Sequence, residues 1–185
     1  MRTNNAAASA VTLSGPTGRI GEPAESISDT AGTREFVSFA IGDDQYGVDV
    51  MAVREIKGWT AIGHLPRQPE YVRGVLDLRG VMVPIIDLRC RFGQGMTEAT
   101  PLHVVIVVQI GANHVGLLAD RVLDIVGCNA SQVQPVPRVA PGSRADFLSG
   151  LVTIDSGMIA LIDLSHILSV SIGEGAEIGT ATQAA

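Results

Sequence analysis

The chain has 185 residues, of which 46% are hydrophobic and 17% are charged, so it can bury a core in one domain or two small subdomains. A formal net charge of −6 argues against nucleic acid or an anionic membrane as a partner, because both need clustered Lys and Arg. The longest apolar run, residues 104–108, is too short to cross a bilayer, and residues 1–34 lack the apolar segment of an export signal. We therefore expect a globular protein of the cytoplasm.

Composition divides the chain into a central body and two tails. Residues 1–33 are mainly small or polar with few aliphatics, and residues 171–185 have the same character. Such segments bury too little apolar surface to offset the entropy that is lost on ordering. We predict flexible tails at both ends and one folded body over residues 34–170.

The body contains short β-branched segments separated by Gly, Pro and Asp, a pattern typical of strands joined by turns. Four joints carry residues that tolerate turn dihedrals, so the strands on either side should pair as antiparallel hairpins. These joints are 42–44, 78–80, 111–113 and 155–157. The ten predicted strands are, in chain order, 36–41, 45–48, 54–59, 74–78, 81–86, 102–110, 114–119, 123–126, 150–154 and 158–162.

Helices are predicted to be few and short. Three aspartates stand where a side chain can accept a hydrogen bond from the first turn of a helix. They precede short segments that we expect to be helical, and they are Asp49, Asp87 and Asp163. None of these segments is long enough to organise the fold.

The sequence also repeats itself. Residues 36–58 align without gaps on 105–127, and residues 74–88 align on 150–164. The order of these blocks and their shared turn positions predict two homologous five-stranded units. Five short strands leave two open edges, which closure into a small barrel would remove. At about 70 residues each barrel has a thin core, so we expect an all-β fold of two barrel subdomains packed on a shared hydrophobic core.

The repeat distinguishes residues that the shared fold requires from residues that could bind a partner. Asp87 and Asp163 recur in the same Ile-Asp-Leu context, so we interpret them as helix caps rather than catalytic residues. Arg79 has no counterpart, because the aligned residue is Asp155. A charged residue that only one half retains cannot be required by the shared fold. Binding residues are therefore expected where the halves differ.

The sequence contains few residues in patterns that support catalysis. Cys90 and Cys128 are far apart and are expected to be reduced thiols, and the four histidines are dispersed. No motif for metal binding, phosphate binding or nucleophilic catalysis occurs. We predict no catalytic residue, no metal site and no cofactor.

Apolar residues beside the repeated blocks are better candidates for a functional surface than the titratable residues are. Residues 102–110, LHVVIVVQI, include too few polar side chains for an exposed sheet face. Either both sides of this segment are covered by the second barrel, or part of it forms an apolar groove for a partner. For each individual side chain, core packing is the competing interpretation.

Four segments carry a resemblance to a known family. They are YGVDV at 46–50, GVLDLRGVMVPIIDLR at 74–89, VGLLAD at 115–120 and SGLVTIDSGMIALIDLSHIL at 149–168. Over residues 34–170 the chain resembles the CheW family of bacterial chemotaxis coupling proteins. The resemblance implies two interwoven SH3-like five-stranded barrels over residues 34–170. It also implies a non-catalytic adaptor that links chemoreceptors to a CheA-type histidine kinase in signalling arrays.

The resemblance also implies partners and contact residues. The partners are the regulatory domain of the kinase and the cytoplasmic signalling tip of a chemoreceptor, with self-association in arrays as a further expectation. The protein would be recruited from the cytoplasm to membrane-associated arrays, without binding nucleic acid or inserting into the membrane. The contact positions of the family fall on Val53, Glu55, Gly74, Arg79, Val104, Val105, Val122 and Ile125.

Two of these residues carry a specific hypothesis. Arg79 is the arginine of the family's LRG motif, and we expect it to form a charge-assisted pair with Glu55 that orders the edge offered to a partner. The family usually has Asn where this chain has Asp77, whose charge could compete for Arg79. Two alternatives stay open at this point: an adaptor of another receptor–kinase pathway, such as surface motility or development, and a small-ligand-sensing barrel.

Overall fold

All ten predicted strands are present, with small shifts at their ends. The computed structural model describes residues 33–137, 144–155 and 157–169. The predicted tails lie outside these residues, apart from Thr33. The strands are β1 (Thr33–Ile41), β2 (Asp44–Asp49), β3 (Val53–Gly58), β4 (Val72–Leu78), β5 (Val81–Asp87), β6 (Val104–Ile110), β7 (Asn113–Ala119), β8 (Arg121–Asn129), β9 (Leu148–Ile154) and β10 (Gly157–Ile162).

The predicted hairpins form and assemble into two sheets. β1–β2, β4–β5, β6–β7 and β9–β10 each pair antiparallel. Two parallel pairs, β2–β10 and β5–β7, join these hairpins into larger sheets. Sheet A has the strand order β8-β1-β2-β10-β9, and sheet B has the order β3-β6-β7-β5-β4. The fold is therefore mostly β with two five-stranded sheets.

Each sheet takes strands from both halves of the repeat. Sheet A combines the hairpin β1–β2 with the last three strands, and sheet B combines β3, β4 and β5 with the hairpin β6–β7. The chain passes from sheet A to sheet B at a 3-10 turn, Val50–Ala52, and it returns at Asp120, between β7 and β8. Neither sheet is thus built from one half alone.

Aspartates begin the three predicted helical segments. Asp49, Asp87 and Asp163 each accept a hydrogen bond from a backbone N–H two or three residues later, at 2.9, 3.1 and 2.9 Å respectively. These bonds satisfy donors that the start of a helix leaves without an intrahelical partner. The helical segments of the described chain are Val50–Ala52, α1 (Leu88–Arg91), Ala130–Gln132, Arg144–Phe147 and α2 (Leu164–Ser169).

The largest apolar cluster takes side chains from both sheets. Phe39 and Val48 of sheet A, Ile106 and Leu117 of sheet B, and Ile167 of α2 are all fully buried in it. A second cluster draws its buried members from sheet B, and a third draws them from sheet A. Each sheet therefore has a core of its own and shares another with its neighbour.

The strand pairings do not close either sheet into the predicted barrel. Sheet A ends at β8 and β9, and sheet B ends at β3 and β4. A single bridge links Gly63, after β3, to Val75 of β4, and another links Gln134, after β8, to Leu151 of β9. The two bridges occupy equivalent places in the repeat, so the same path of the chain recurs in both halves.

Candidate partner-binding site

The predicted contact residues fall on both sheets. By element, they are Val53 and Glu55 on β3, Gly74 on β4, Arg79 in the β4–β5 turn, Val104 and Val105 on β6, and Val122 and Ile125 on β8. β3 and β8 are equivalent in the repeat, and each is an edge strand of its sheet. Most of the predicted contacts are therefore at or next to these edges.

The predicted apolar contacts differ in how much of each side chain reaches the surface. Val53, Val104 and Val122 are half-buried and pack against the core cluster that the two sheets share. Val105 is 1% exposed in the core of sheet B, where it supports the sheet rather than facing solvent. Ile125 is 58% exposed, so its side chain is available to a partner.

Gly74 has a clear role in the fold. Its φ is +143°, in a region that L side chains rarely adopt, and a Cβ there would overlap the carbonyl oxygen of Gly63. The aligned Gly150 is also crowded, since its Cβ would lie 2.5 Å from Val133 Cγ1. Both glycines let the segment that follows one edge strand approach the other edge of the sheet. Their recurrence thus follows from the shared fold.

An open groove on sheet B brings Arg79 and Glu55 to the same place. Its volume is about 180 Å³. β3 and β4 are opposite edges of sheet B, yet side chains from β3 and from the β4–β5 hairpin face this groove together. Both edges of the sheet therefore contribute residues to one groove. The lining residues are Arg54, Glu55, Leu78, Arg79, Val81, Val83, Val107 and His114.

Arg79 occupies an unfavourable backbone conformation. Leu78 pairs with Val81, so Arg79 and Gly80 form a two-residue hairpin loop. Their φ angles are +55° and +88°, the pattern of a type I′ turn, for which Asn-Gly is preferred. The left-handed conformation costs a residue with a Cβ about 1–2 kcal/mol. Arg79 is thus an exposed residue in a strained backbone conformation.

The predicted Arg79–Glu55 pair is not formed in this structure. Among the described residues, neither side chain has an ion-pair partner within 4.0 Å. Both remain solvated at an open groove, where an exposed ion pair gains less than about 1 kcal/mol. Asp77 does not compete for Arg79 either, because its Oδ1 accepts a hydrogen bond from the Gly80 N–H at 2.7 Å and so caps the turn.

Two polar groove residues, Arg54 and His114, were not among the predicted contacts. Arg54 Nε donates a hydrogen bond to Gln109 Oε1 at 2.6 Å, which holds the guanidinium against β6. His114 faces the groove from β7. The repeat contains a signal for both residues, since Arg54 aligns with Leu123 and His114 aligns with Gln45.

The edge strand β8 presents a second surface. Leu123 is 40% exposed and Ile125 is 58% exposed. A β-bulge shifts the register between β8 and β1 at this point. The buried Ser38 hydroxyl spans the bulge, because it donates to the Asp124 carbonyl at 2.8 Å and accepts from the Asp124 N–H at 3.1 Å. Bulges twist an edge away from further strand pairing, so β8 offers side chains rather than backbone groups.

Comparisons with known proteins identify the family. The sequence model of the CheW-like domain matches residues 35–171, which is most of the chain. The chain belongs to the CheW family. The probable chemotaxis protein CheW of Rhizobium etli is 41% identical over 145 residues, which cover 78% of this chain and 94% of that protein. The chemotaxis protein CheW of Rhizobium meliloti is 41% identical over 138 residues, which cover 75% and 89% respectively.

A solved structure agrees with this assignment. The crystal structure of the scaffolding protein TtCheW from Thermoanaerobacter tengcongensis superposes with a TM-score of 0.69 at 30% sequence identity. The match covers 76% of this chain and 91% of that one. The resemblance predicted from the sequence is confirmed, and so is the function predicted at the level of the family, a chemotaxis adaptor of the CheW type.

In this CheW-family chain the two Ile-Asp-Leu aspartates have different surroundings. Asp87 is 0% exposed and accepts hydrogen bonds from Arg73 Nη1 at 3.1 Å and from the Thr97 N–H and hydroxyl at 2.9 and 2.8 Å. Asp163 is partly exposed, and its carboxylate lies 2.9 Å from His166 Nδ1. Burial works to raise the pKa of Asp163, but hydrogen bonds from His166 and from helix N–H groups outweigh it and lower the pKa.

The two passages between the sheets also differ. The Asp120 carboxylate accepts hydrogen bonds from the Gly42 N–H at 2.7 Å and from the Arg89 guanidinium, and His103 Nε2 lies 3.7 Å away. Burial works to raise the pKa of Asp120, but Gly42 and Arg89 hold it below its ordinary value. The aligned residue at the other passage is Met51, which is 80% exposed. Hydrogen bonds and an ion pair thus hold the chain at Asp120, where it returns to sheet A. The other crossing between the sheets has an exposed apolar side chain instead.

None of the helices of the described chain is long and apolar enough to cross a membrane. Across the same residues, no three His, Cys, Asp or Glu side chains come together as metal ligands. Burial raises the pKa of the thiols of Cys90 and Cys128, so both are protonated at neutral pH.

Proposed function

We propose that this chain is a non-catalytic adaptor that couples the signalling tip of a chemoreceptor to the regulatory domain of a CheA-type histidine kinase. Membership in the CheW family and similarity to a scaffolding protein support this function. The observation that carries it is the groove of sheet B, which Arg79 and Glu55 both line beside aliphatic side chains. Protein interfaces concentrate their binding energy in a few arginine and apolar anchors of this kind.

An adaptor needs enough surface for more than one partner. Specific interfaces bury about 1,600 Å² in total, which is more than the groove alone can provide. The exposed Leu123 and Ile125 of β8 extend the contact surface onto sheet A. The half-buried residues of the predicted contacts lie where each sheet meets the shared core, and they are Val53, Val104 and Val122. A partner that docks there would therefore be affected by how the two sheets pack.

We further infer that each sheet curls into an SH3-like barrel. The groove supports this architecture, because residues from both edges of sheet B face it. The bridge from Gly63 to Val75 draws the same two edges together. A kinase regulatory domain of the same fold would dock against such barrels, and docking would recruit the chain from the cytoplasm to membrane-associated receptor arrays.

The groove argues against the small-ligand alternative. Its volume of about 180 Å³ is small beside the roughly 300–1,000 Å³ of typical small-molecule pockets. It is also partly open, so it would leave part of a small ligand exposed to solvent. A thermal-shift screen with metals and common cofactors should therefore show no stabilisation of the chain.

A binding titration tests the proposed function. The chain should bind the kinase regulatory domain, and it should also bind a receptor signalling-tip fragment, alone and in the presence of the kinase domain. Arg79→Ala changes an exposed turn residue, so it should fold normally and weaken binding about tenfold or more.

The matched control is Arg34→Ala. Arg34 is an exposed arginine whose ion pair with Asp49 lies outside the groove, so its loss should leave binding unchanged. Failure of the wild-type chain to bind either partner would remove the proposed function. Unchanged binding by Arg79→Ala would remove Arg79 from the contact surface and leave the adaptor function standing.

A further inference from the structure

The groove of sheet B is positively charged in a protein whose net charge is −6. Two guanidinium groups, Arg54 and Arg79, face it together with one carboxylate, Glu55. Among the residues that the structure describes, neither guanidinium has a carboxylate within 4.0 Å. Arg54 instead donates to the neutral side chain of Gln109. The groove thus carries positive charge that the described part of the chain does not neutralise.

Aliphatic side chains bound the same groove. Val83 and Val107 are each 1% exposed and form its buried wall, whereas Val81 is 50% exposed at its rim. Apolar walls lower the local dielectric constant and strengthen the interaction between charges. The chemical group that fits this environment best carries a negative charge next to an apolar side chain.

We propose that the groove binds one carboxylate side chain of the protein partner through Arg54 and Arg79, with an adjacent apolar side chain of the partner against Val81. This inference rests on the proposed function and specifies the chemistry by which the same site recognises its partner. Guanidinium groups bind carboxylates through paired N–H donors, which gives direction as well as charge. A volume of about 180 Å³ suits a side chain better than a whole ligand.

His114 completes the polar lining of the groove. It faces the groove from β7, while Arg54 and Glu55 face it from β3 and Arg79 faces it from the β4–β5 turn. Polar side chains from three elements therefore surround the place that the partner's carboxylate would occupy.

Calorimetric titrations with the receptor-tip fragment and with the kinase regulatory domain test the inference. Arg54→Gln and Arg79→Gln should each weaken binding of the same partner by about ten- to hundredfold. Arg34→Gln removes the same charge from an ion pair outside the groove and should bind as the wild type does. Circular dichroism and thermal melting confirm that each variant is folded.

The partner's carboxylate is located by changing each of its Asp and Glu residues to the amide. At the partner residue that contacts Arg79, the change to the amide should weaken binding to the wild-type chain. The same change should not weaken binding to the Arg79→Gln variant any further, because the two substitutions remove one and the same interaction. If every partner substitution is additive with Arg79→Gln, or if both arginine variants bind both partners normally, the inference is wrong and the adaptor function stands. If the wild type binds neither partner, the proposed function fails and the inference fails with it.

Discussion

The two sheets share one strand order but differ in charge at equivalent positions. β3-β6-β7-β5-β4 of sheet B corresponds strand by strand to β8-β1-β2-β10-β9 of sheet A. The groove of sheet B contains two arginines, whereas the aligned positions of sheet A contain two aspartates and no arginine. The aligned pairs are Arg54 and Leu123, Glu55 and Asp124, Arg79 and Asp155, and His114 and Gln45.

This difference shows which features the fold requires. Both edge strands carry a register shift at the same place, opposite β6 in sheet B and opposite β1 in sheet A. Both halves also keep a crowded glycine, Gly74 and Gly150, beside the returning chain. Since two such different sets of groove side chains fit one backbone, the charged residues are available for binding. Comparing the halves position by position therefore tests function and stability separately.

The largest expected difference between the halves concerns Asp87 and Asp163. Asp87→Ala should lower the free energy of unfolding by about 3–5 kcal/mol, because it leaves the partly buried Arg73 guanidinium without its carboxylate. Asp163→Ala removes a cap from an exposed helix start and should cost only about 1 kcal/mol. Urea denaturation of both variants measures the difference. Equal losses would mean that Asp87 serves as nothing more than a cap.

A smaller difference is expected at the crowded glycines. Gly74→Ala should cost about 2–4 kcal/mol, because backbone strain at its φ of +143° adds to the overlap with Gly63. Gly150→Ala should cost about 1–3 kcal/mol, since Val133 can move aside. Urea denaturation again provides the measurement. If Gly74→Ala is as stable as the wild type but binds no partner, Gly74 acts at the interface directly.

The β4–β5 turn should show stability and binding changing in opposite directions. Arg79→Asn places the preferred Asn-Gly pair in a type I′ turn, so it should stabilise the fold by about 1 kcal/mol while weakening partner binding. The aligned change in sheet A, Asp155→Asn, should alter stability by less than about 0.5 kcal/mol. Thermal unfolding and binding titration of each variant are the two measurements. A gain in affinity by Arg79→Asn would refute the importance of the guanidinium.

The smallest effects are expected at the passages between the sheets. Because the pKa of Asp120 is lowered in the folded chain, its contribution to stability is present above about pH 4 and is lost as the pH falls through the folded value. Asp120→Asn should therefore reduce stability at neutral pH and flatten its acid dependence. Met51→Gln, at the other passage, should change stability by less than about 0.5 kcal/mol at any pH. Urea denaturation at several pH values checks both, and a steeper acid dependence in Asp120→Asn would contradict the assignment.

The strands and hairpins could be predicted because their signals are local. Turn residues such as Gly42 and Gly111 recur at the joints, and β-branched runs lie between them. The assembly of the sheets depends on distant contacts, such as the parallel pairing of β2 with β10, which no local pattern encodes. The repeat and the family resemblance indicated two interwoven units, but the exchange of hairpins between them was visible only in the structure.

Two residues of the candidate groove could be predicted from the sequence. Arg79 and Glu55 were found through the broken repeat and the resemblance, and the structure places both at one groove. The absence of an ion pair between them could not be predicted, because side-chain positions at an open groove depend on solvation. Within residues 104–108 every side chain is aliphatic, so the sequence could not distinguish the half-buried Val104 from the fully buried Val105.

The exchange of hairpins between the two sheets corresponds to the way in which two copies of a half-chain would associate. β1–β2 lies with the last three strands, and β6–β7 lies with β3, β4 and β5. Two separate half-chains that traded their first hairpins would form these same pairings, so the protein has the geometry of a domain-swapped dimer fused into one polypeptide. Fusion makes the association independent of concentration. It also frees each half from matching an identical copy, which allows one sheet to carry arginines where the other carries aspartates.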